Sequence, residues 1–176
     1  VNVPTSWVWT FSGGTPSSSI VQNPSVIYNT LGTYPVKLKA TNSFGTDSII
    51  KTAYISVVSS INLCTGATVT TASSGQIYDS GGPTGNYVDN ENCSLLIDPG
   101  CAISISLSFT QFNTESCCDH LIVYNGTQTS DPIILDASGS TIPSSVTANS
   151  GKMLITWRSD VSVIAAGFSG QWSSVL

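Results

Sequence analysis

Apolar residues in this chain recur with a period of two, in short runs cut off by Gly, Pro, Asn or Ser. Trp7, Trp9 and Phe11 alternate in this way. So do Tyr34, Val36, Leu38 and Ala40 within TYPVKLKAT, with Lys37 and Lys39 predicted to face water. Ile103, Ile105, Leu107 and Phe109 repeat the pattern, opposed by Ala102, Ser104, Ser106 and Ser108. Successive strand side chains point to opposite faces, whereas a helix repeats every 3.6 residues. No stretch sustains helical spacing, so the chain is expected to be all-β. Strands recurring between turn-rich breaks predict antiparallel β-sandwiches.

Charge divides the chain. Only 9% of its residues are charged, and Asp47 is the one acid before residue 78, although there are ten acids in all. That asymmetry predicts two domains in tandem. The break is expected near Val58-Ser59-Ser60, giving units over 1–59 and 61–176. Five basic residues (Lys37, Lys39, Lys51, Lys152 and Arg158) form no patch able to neutralise phosphates, which argues against nucleic acid as a partner. No apolar run approaches the ~18 residues of a membrane span.

All five cysteines fall between Cys64 and Cys118. With a hydroxyl-rich composition and two Asn-x-Ser/Thr sequons, at Asn92 and Asn125, this fits an oxidising compartment, so a secreted or cell-surface location is expected. The start at Val1, without Met or a signal peptide, suggests a mature or excised piece of something longer.

The first unit carries WVWTFSGG (Trp7 to Gly14), NPSVIYNTLGTYPVKLKATNSFG (Asn23 to Gly45) and the closing strand TAYISV. In that order they resemble the polycystic-kidney-disease (PKD) repeat, an immunoglobulin-like β-sandwich. The family's Gly-Asp-Gly turn is replaced by Ser12-Gly13-Gly14, which removes a carboxylate and any case for a ligand there. The aromatics Trp7, Trp9, Phe11, Tyr28 and Tyr34 are expected to pack a core, with an exposed Trp as the alternative, a stacking platform for sugar or collagen. Similar domains have two further strands before the Trp strand, yet six residues precede Trp7. The resemblance therefore implies a sandwich lacking its first strands, through truncation or because another chain supplies them.

The second unit carries GQIYDSGGPTGNYVDNENCSLLI, ISLSFTQFNTESCCDHLIVYNG and GKMLITWRSDVSVIAAGFSGQW. These resemble the CUB domain, a calcium-binding, jelly-roll-like sandwich of extracellular proteins, in the form found in secreted bacterial multidomain proteins. Carried over position by position, the resemblance implies metal ligation by Glu115 and Asp119 from one hairpin loop and by Asp160 from a distant one. It adds the Ser162 backbone carbonyl as a ligand and Tyr87 as a hydrogen-bond partner of Glu115. Val163 stands where the family often has Asn, so that position offers no side-chain oxygen. The resemblance also implies a Cys64–Cys93 disulfide. Cys101 is expected to pair back to Cys118, or alternatively to Cys117, leaving one thiol over.

The residue chemistry agrees with calcium, which takes six to eight oxygens from carboxylates, carbonyls and water. A carboxylate cluster without Lys or Arg repels itself until a cation neutralises it. No His/Cys set has zinc spacing, and His120 is read as a lone surface or packing histidine. One His, no Gly-x-Ser-x-Gly elbow and no phosphate-binding glycine loop argue against an enzyme. Glu115 and Asp119 as glycosidase carboxylates would need a deep sugar cleft. The reading is a non-catalytic, calcium-dependent binding and adhesion module of a larger secreted or cell-surface protein, gripping an extracellular protein or polysaccharide polymer. The alternative is a structural subunit of an extracellular filament or adhesin, with the incomplete PKD sandwich completed by a strand from a neighbouring copy.

Overall fold

The computed structural model describes residues 3–176. Those residues form fourteen β-strands and no helix, as the period-two patterning requires. Backbone contacts divide the chain between Val58 and Ser59.

The first unit holds one four-stranded antiparallel sheet. Its strands are β1 (Ser6–Phe11), β2 (Ser18–Ser19), β3 (Gly32–Asn42) and β4 (Gly45–Val57), in the order β2-β1-β3-β4. The β3–β4 hairpin turns through Ser43-Phe44, where the Phe44 amide donates to Asn42 Oδ1 at 2.9 Å. That side-chain bond imitates a backbone turn and sets the register. Trp9 pairs with Leu38, and Leu38 with Ile49, so the three share one face. Phe11 and Val36 are buried, whereas Trp7 and Trp9 are only half-buried. Tyr28 and Tyr34 pack against each other at 4.9 Å but stay half-buried, so of the five aromatics expected in a core only Phe11 is buried. The segment between β1 and β3 reaches back over the sheet, and the Trp9 indole donates to the Val21 carbonyl at 3.1 Å.

The second unit is a sandwich of two five-stranded sheets. Its strands are β5 (Ser59–Asn62), β6 (Val69–Thr70), β7 (Ser74–Tyr78), β8 (Asn92–Ile97), β9 (Ser104–Asn113), β10 (His120–Tyr124), β11 (Ile133–Ala137), β12 (Val146–Ala148), β13 (Met153–Arg158) and β14 (Gly167–Val175). One sheet runs β11-β10-β13-β8-β6 and the other β12-β9-β14-β7-β5. Ser59 and Ser60, which sequence patterning leaves at the break between units, already belong to β5, pairing parallel to β7. Ile105, Leu107 and Trp172 from one sheet meet Leu95, Leu121 and Ile155 from the other in a single core. Each side chain fully buried this way contributes about 1.5–3 kcal/mol.

Two strand details depart from the sequence pattern. Ile103 lies outside β9 and is 67% exposed. Further along, the β9–β14 register skips Thr110, between Phe109↔Gly170 and Gln111↔Ser169. The bulge lets both Phe109 and Phe112 face inward, although their spacing forbids that in a regular strand. A bulge re-aims the chain beyond it, and this one sits just ahead of the loop bearing Glu115 and Asp119.

Cys64 and Cys93 form a disulfide, with Cα atoms 5.1 Å apart. It ties the end of β5 in one sheet to β8 in the other. The expected pairing of Cys101 with Cys118, or with Cys117, is not formed. Cys117 and Cys118 bond each other, and Cys101 is free and exposed. The reason is reach. Cys101 precedes β9 and Cys117 follows it, and a strand of 10 residues is about 30 Å long. A disulfide needs Cα atoms within about 7 Å.

Candidate metal centre

Three loops at one end of the second sandwich build the site. The 114–119 loop connects β9 to β10 and carries Glu115 and Asp119; the loop after β13 carries Asp160. A third, 79–91, carries Tyr87, Asp89 and Glu91. Glu115, Asp119 and Asp160 each direct a carboxylate oxygen to within 4.8 Å of the others. This is the trio singled out by the sequence.

Hydrogen bonds fix each arm. Asp119 is fully buried; its Oδ1 accepts from the Asp160 amide at 2.9 Å and its Oδ2 from the Tyr87 hydroxyl at 2.6 Å. Tyr87 itself is buried and edge-on to Trp157, with centroids 5.0 Å apart. Its hydroxyl accepts from the Glu115 amide at 3.1 Å. The expected hydrogen bond between Tyr87 and Glu115 thus runs through the Glu115 backbone. The phenol proton goes to Asp119, the stronger acceptor. Burial, and then that bond to Asp119, pushes the Tyr87 phenol well above its ordinary range.

Glu115 is the least satisfied member. Its Oε2 is buried and has no hydrogen-bond partner. Loss of water, followed by the charges of Asp160, Asp119 and Asp89, pushes its carboxyl above the usual range. No base relieves this, since the ion pairs among the described residues are His120–Asp136 and Lys152–Asp98. A buried, orphaned carboxylate oxygen facing two other acids fits a hard cation that takes oxygen ligands.

Ser162 lies exposed on the Asp160 loop, and its amide donates to Asp160 Oδ1 at 3.0 Å. Its neighbour Val163 has φ of +68°, a left-handed conformation that a β-branched residue adopts only under strain. His120 faces away from the acids and contacts Asp136 Oδ1 at 2.7 Å. Glu115, Cys117 and Cys118 also cluster within 4.8 Å. Disulfide sulfurs are not thiolates, however, so that set holds no ion while the bond persists.

Sequence reasoning left out the third loop's other anchors. Glu91 is buried; its Oε2 accepts from the Trp157 indole at 2.8 Å, and its amide donates to Ser159 Oγ at 2.9 Å. Asp79, also buried, accepts from the Phe168 and Gly81 amides, each at 2.8 Å. Burial raises its carboxyl above the ordinary range. Gly167 has φ of +68°, and a Cβ there would collide with the Asp79 carboxylate. The run of acids from Asp79 to Glu91, ahead of the β8 cysteine, was the available signal.

Comparison with known proteins agrees with this architecture. The family model for the CUB domain matches residues 64–172, and that for the PKD domain matches residues 2–57. Multiple epidermal growth factor-like domains protein 8 from Rattus norvegicus is 39% identical over 89 residues, 50% of this chain and 3% of that protein. Astacin-like metalloendopeptidase from Coturnix japonica is 36% identical over 94 residues, 51% of this chain and 23% of that protein. The chain thus spans a small part of these curated relatives' length. Among solved structures, the MASP-1 CUB2 domain bound to Ca2+ shares the fold with a TM-score of 0.52 at 22% identity, covering 61% of this chain and 97% of that one. With its model matched over well more than half of the sequence, the chain belongs to the CUB domain family, and a PKD domain precedes its CUB domain.

Proposed function

We infer that the second unit is a calcium-dependent, non-catalytic binding module of a secreted or cell-surface protein. The observation that carries this reading is Glu115 Oε2, a buried carboxylate oxygen beside Asp119 and Asp160 that lacks any hydrogen-bond partner. Glu115, Asp119 and Asp160 would hold the ion, with water or loop carbonyls such as that of Ser162 completing its shell. The ion supplies a positive charge that cancels the repulsion of the three acids. This chain's own residues do the rest. Tyr87 orients Asp119, the Asp160 amide clamps the other Asp119 oxygen, and Glu91 pins the third loop through Trp157.

Rigid loops at one end of a sandwich form a surface for an extracellular protein or polysaccharide partner. The calcium-bound MASP-1 CUB2 domain, which shares the fold, supports the choice of ion. Extracellular calcium modules commonly bind at about 0.1–1 mM. Thermal unfolding with calcium and with chelator tests the site. Calcium should raise the melting temperature of the parent and leave that of Asp160→Ala unchanged; a parent indifferent to chelator would refute the assignment. Retention on collagen, cellulose and chitin, with and without calcium, then tests the partner class.

A second reading, a filament or adhesin subunit, is favoured by the first unit. Its sheet leaves an apolar groove of about 180 Å³ lined by Trp9, Val36, Leu38, Ile49, Lys51 and Tyr54, a surface that a strand from a neighbouring chain would cover. Ordered fibres in electron micrographs would support it, and calcium-dependent retention on a polymer without fibres would not.

A further inference from the structure

We propose that β4 is a self-association edge through which two copies of this chain pair their first-unit sheets, antiparallel and twofold-symmetric about Ile49. The strand ends its sheet, so one side of its backbone has no ladder partner. Thirteen residues long and free of proline, it is exposed along Gly45–Tyr54. Proteins usually blunt such an edge with a short strand, a proline, a bulge, charged side chains or a covering loop. Strand β4 has a bulge near its end and two charges on its apolar face, Asp47 and Lys51, which a symmetric register can pair. Here Ile49 and Ile50 are 55% and 58% exposed. The one irregularity, a bulge opposite Pro35 with Ala53 at φ +52°, begins only after Lys51. Thr46 to Thr52 is therefore a regular segment open to pairing, with β-branched Thr46, Ile49, Ile50 and Thr52.

Charge then selects the partner and the register. Asp47 and Lys51 lie on the same face as Ile49, two residues to either side. Neither has an ion-pair partner among the described residues. Asp47 accepts from the Ser48 amide at 2.7 Å, and the Lys51 ammonium rests 4.9 Å from the Tyr54 ring centroid. In an antiparallel pair related by a twofold axis normal to the sheet, only residues of equal parity come opposite one another. Centring the axis on Ile49 sets Asp47 opposite the partner's Lys51, twice by symmetry. It also sets Ile49 against the partner's Ile49. A shift of one step in either direction places Ile49 opposite a charge and leaves Asp47 and Lys51 unmatched. Because parity is kept, Trp9, Leu38 and Ile49 continue across the seam as one apolar face. The first unit's single acid is thus placed to neutralise the lysine of a second copy. The proposal does not rest on the calcium site.

Sedimentation velocity on the full chain in chelator, over a series of concentrations, tests it. The parent should show a monomer–dimer equilibrium. Asp47→Lys and Lys51→Asp each set like charges opposite one another at both symmetric pairs, and should weaken the dimer roughly tenfold or more. The double variant D47K/K51D restores opposite charges and should recover parental affinity. Far-UV circular dichroism checks that each variant folds, and either single substitution suffices if the other does not. A parent that stays monomeric throughout would overturn the proposal. So would folded single variants that dimerise like the parent, or a folded double variant that fails to recover.

Discussion

The two units read alike in sequence, with the same alternating strands and hydroxyl-rich turns, yet they differ in how much they bury. Of the buried apolar side chains among the described residues, Phe11 and Val36 are in the first unit and all the others in the second. The second unit closes two sheets over one core, whereas the first presents one sheet whose apolar face is only partly covered. Patterning specifies which face a side chain takes; whether anything sits on that face is a separate matter. A strand half-buried in one unit and a strand sealed in the other carry the same signature.

The sharpest way to break this comparison is to delete matched side chains. Ile155→Ala, at a fully buried site of the second unit, should cost about 2–5 kcal/mol in chemical unfolding. Ile49→Ala, at a concentration where the chain is monomeric, should fall within about 0.5 kcal/mol of zero. Equal losses would mean that the first sheet has a covered core after all.

Calcium should sharpen the contrast next. At roughly ten to a hundred times its dissociation constant, a ligand stabilises by about 1.4–2.7 kcal/mol. Differential scanning calorimetry should show that gain in the second unit's transition alone. A first-unit transition that also moves would argue for coupling between the units.

Val163 offers a smaller effect. Its left-handed φ of +68° suits Asn far better than a β-branched side chain, so Val163→Asn should stabilise the calcium-free protein by about 1 kcal/mol. It also places a side-chain oxygen on the Asp160 loop. Isothermal titration should therefore show calcium affinity equal to or tighter than the parent's, and weaker binding would mean that the valine packs productively.

The smallest effect is the response to pH. Glu115 and Asp79 have carboxyls raised in the fold, so ionising them costs stability that returns as pH falls through their folded pKa values. His120 is raised, chiefly by its hydrogen bond to Asp136. Its contribution is complete below the unfolded value of about 6.5 and is lost as pH rises through the folded one. All three act in one direction. The calcium-free melting temperature should rise as pH falls from about 8 to about 5. With calcium the increment should shrink over the same range, because protons compete for Glu115. A calcium-free melting temperature that falls steadily on acidification would contradict the shifts.

How much of this was legible in advance depends on the range over which each signal acts. Period two gave the strands and their inward faces, because pleat geometry acts residue by residue. The resemblance to the CUB domain points to Glu115, Asp119 and Asp160 among the ten acids, and the fold does bring these three together. Tyr87 does hydrogen-bond Glu115, as the resemblance implies, but through the Glu115 amide, while its own proton goes to Asp119; which group of a loop faces a phenol depends on tenths of an ångström. Of the cysteine pairings, Cys64–Cys93 forms as the resemblance implies, whereas Cys101 bonds neither Cys117 nor Cys118, which the length of β9 forbids. The Thr110 bulge could not be read at all, because an extra residue exists only relative to a paired strand.

By itself, then, the sequence determined an all-β chain with one charge-poor half and one acid-bearing half, since alternation and composition are local properties of the polymer. Tertiary structure alone decided that one half sealed a core while the other kept a bare sheet edge. It alone decided that Glu115 Oε2 is buried without a partner, and that Asp47 and Lys51 stand unmatched among the described residues. Burial and charge pairing depend on what lies across space from a residue.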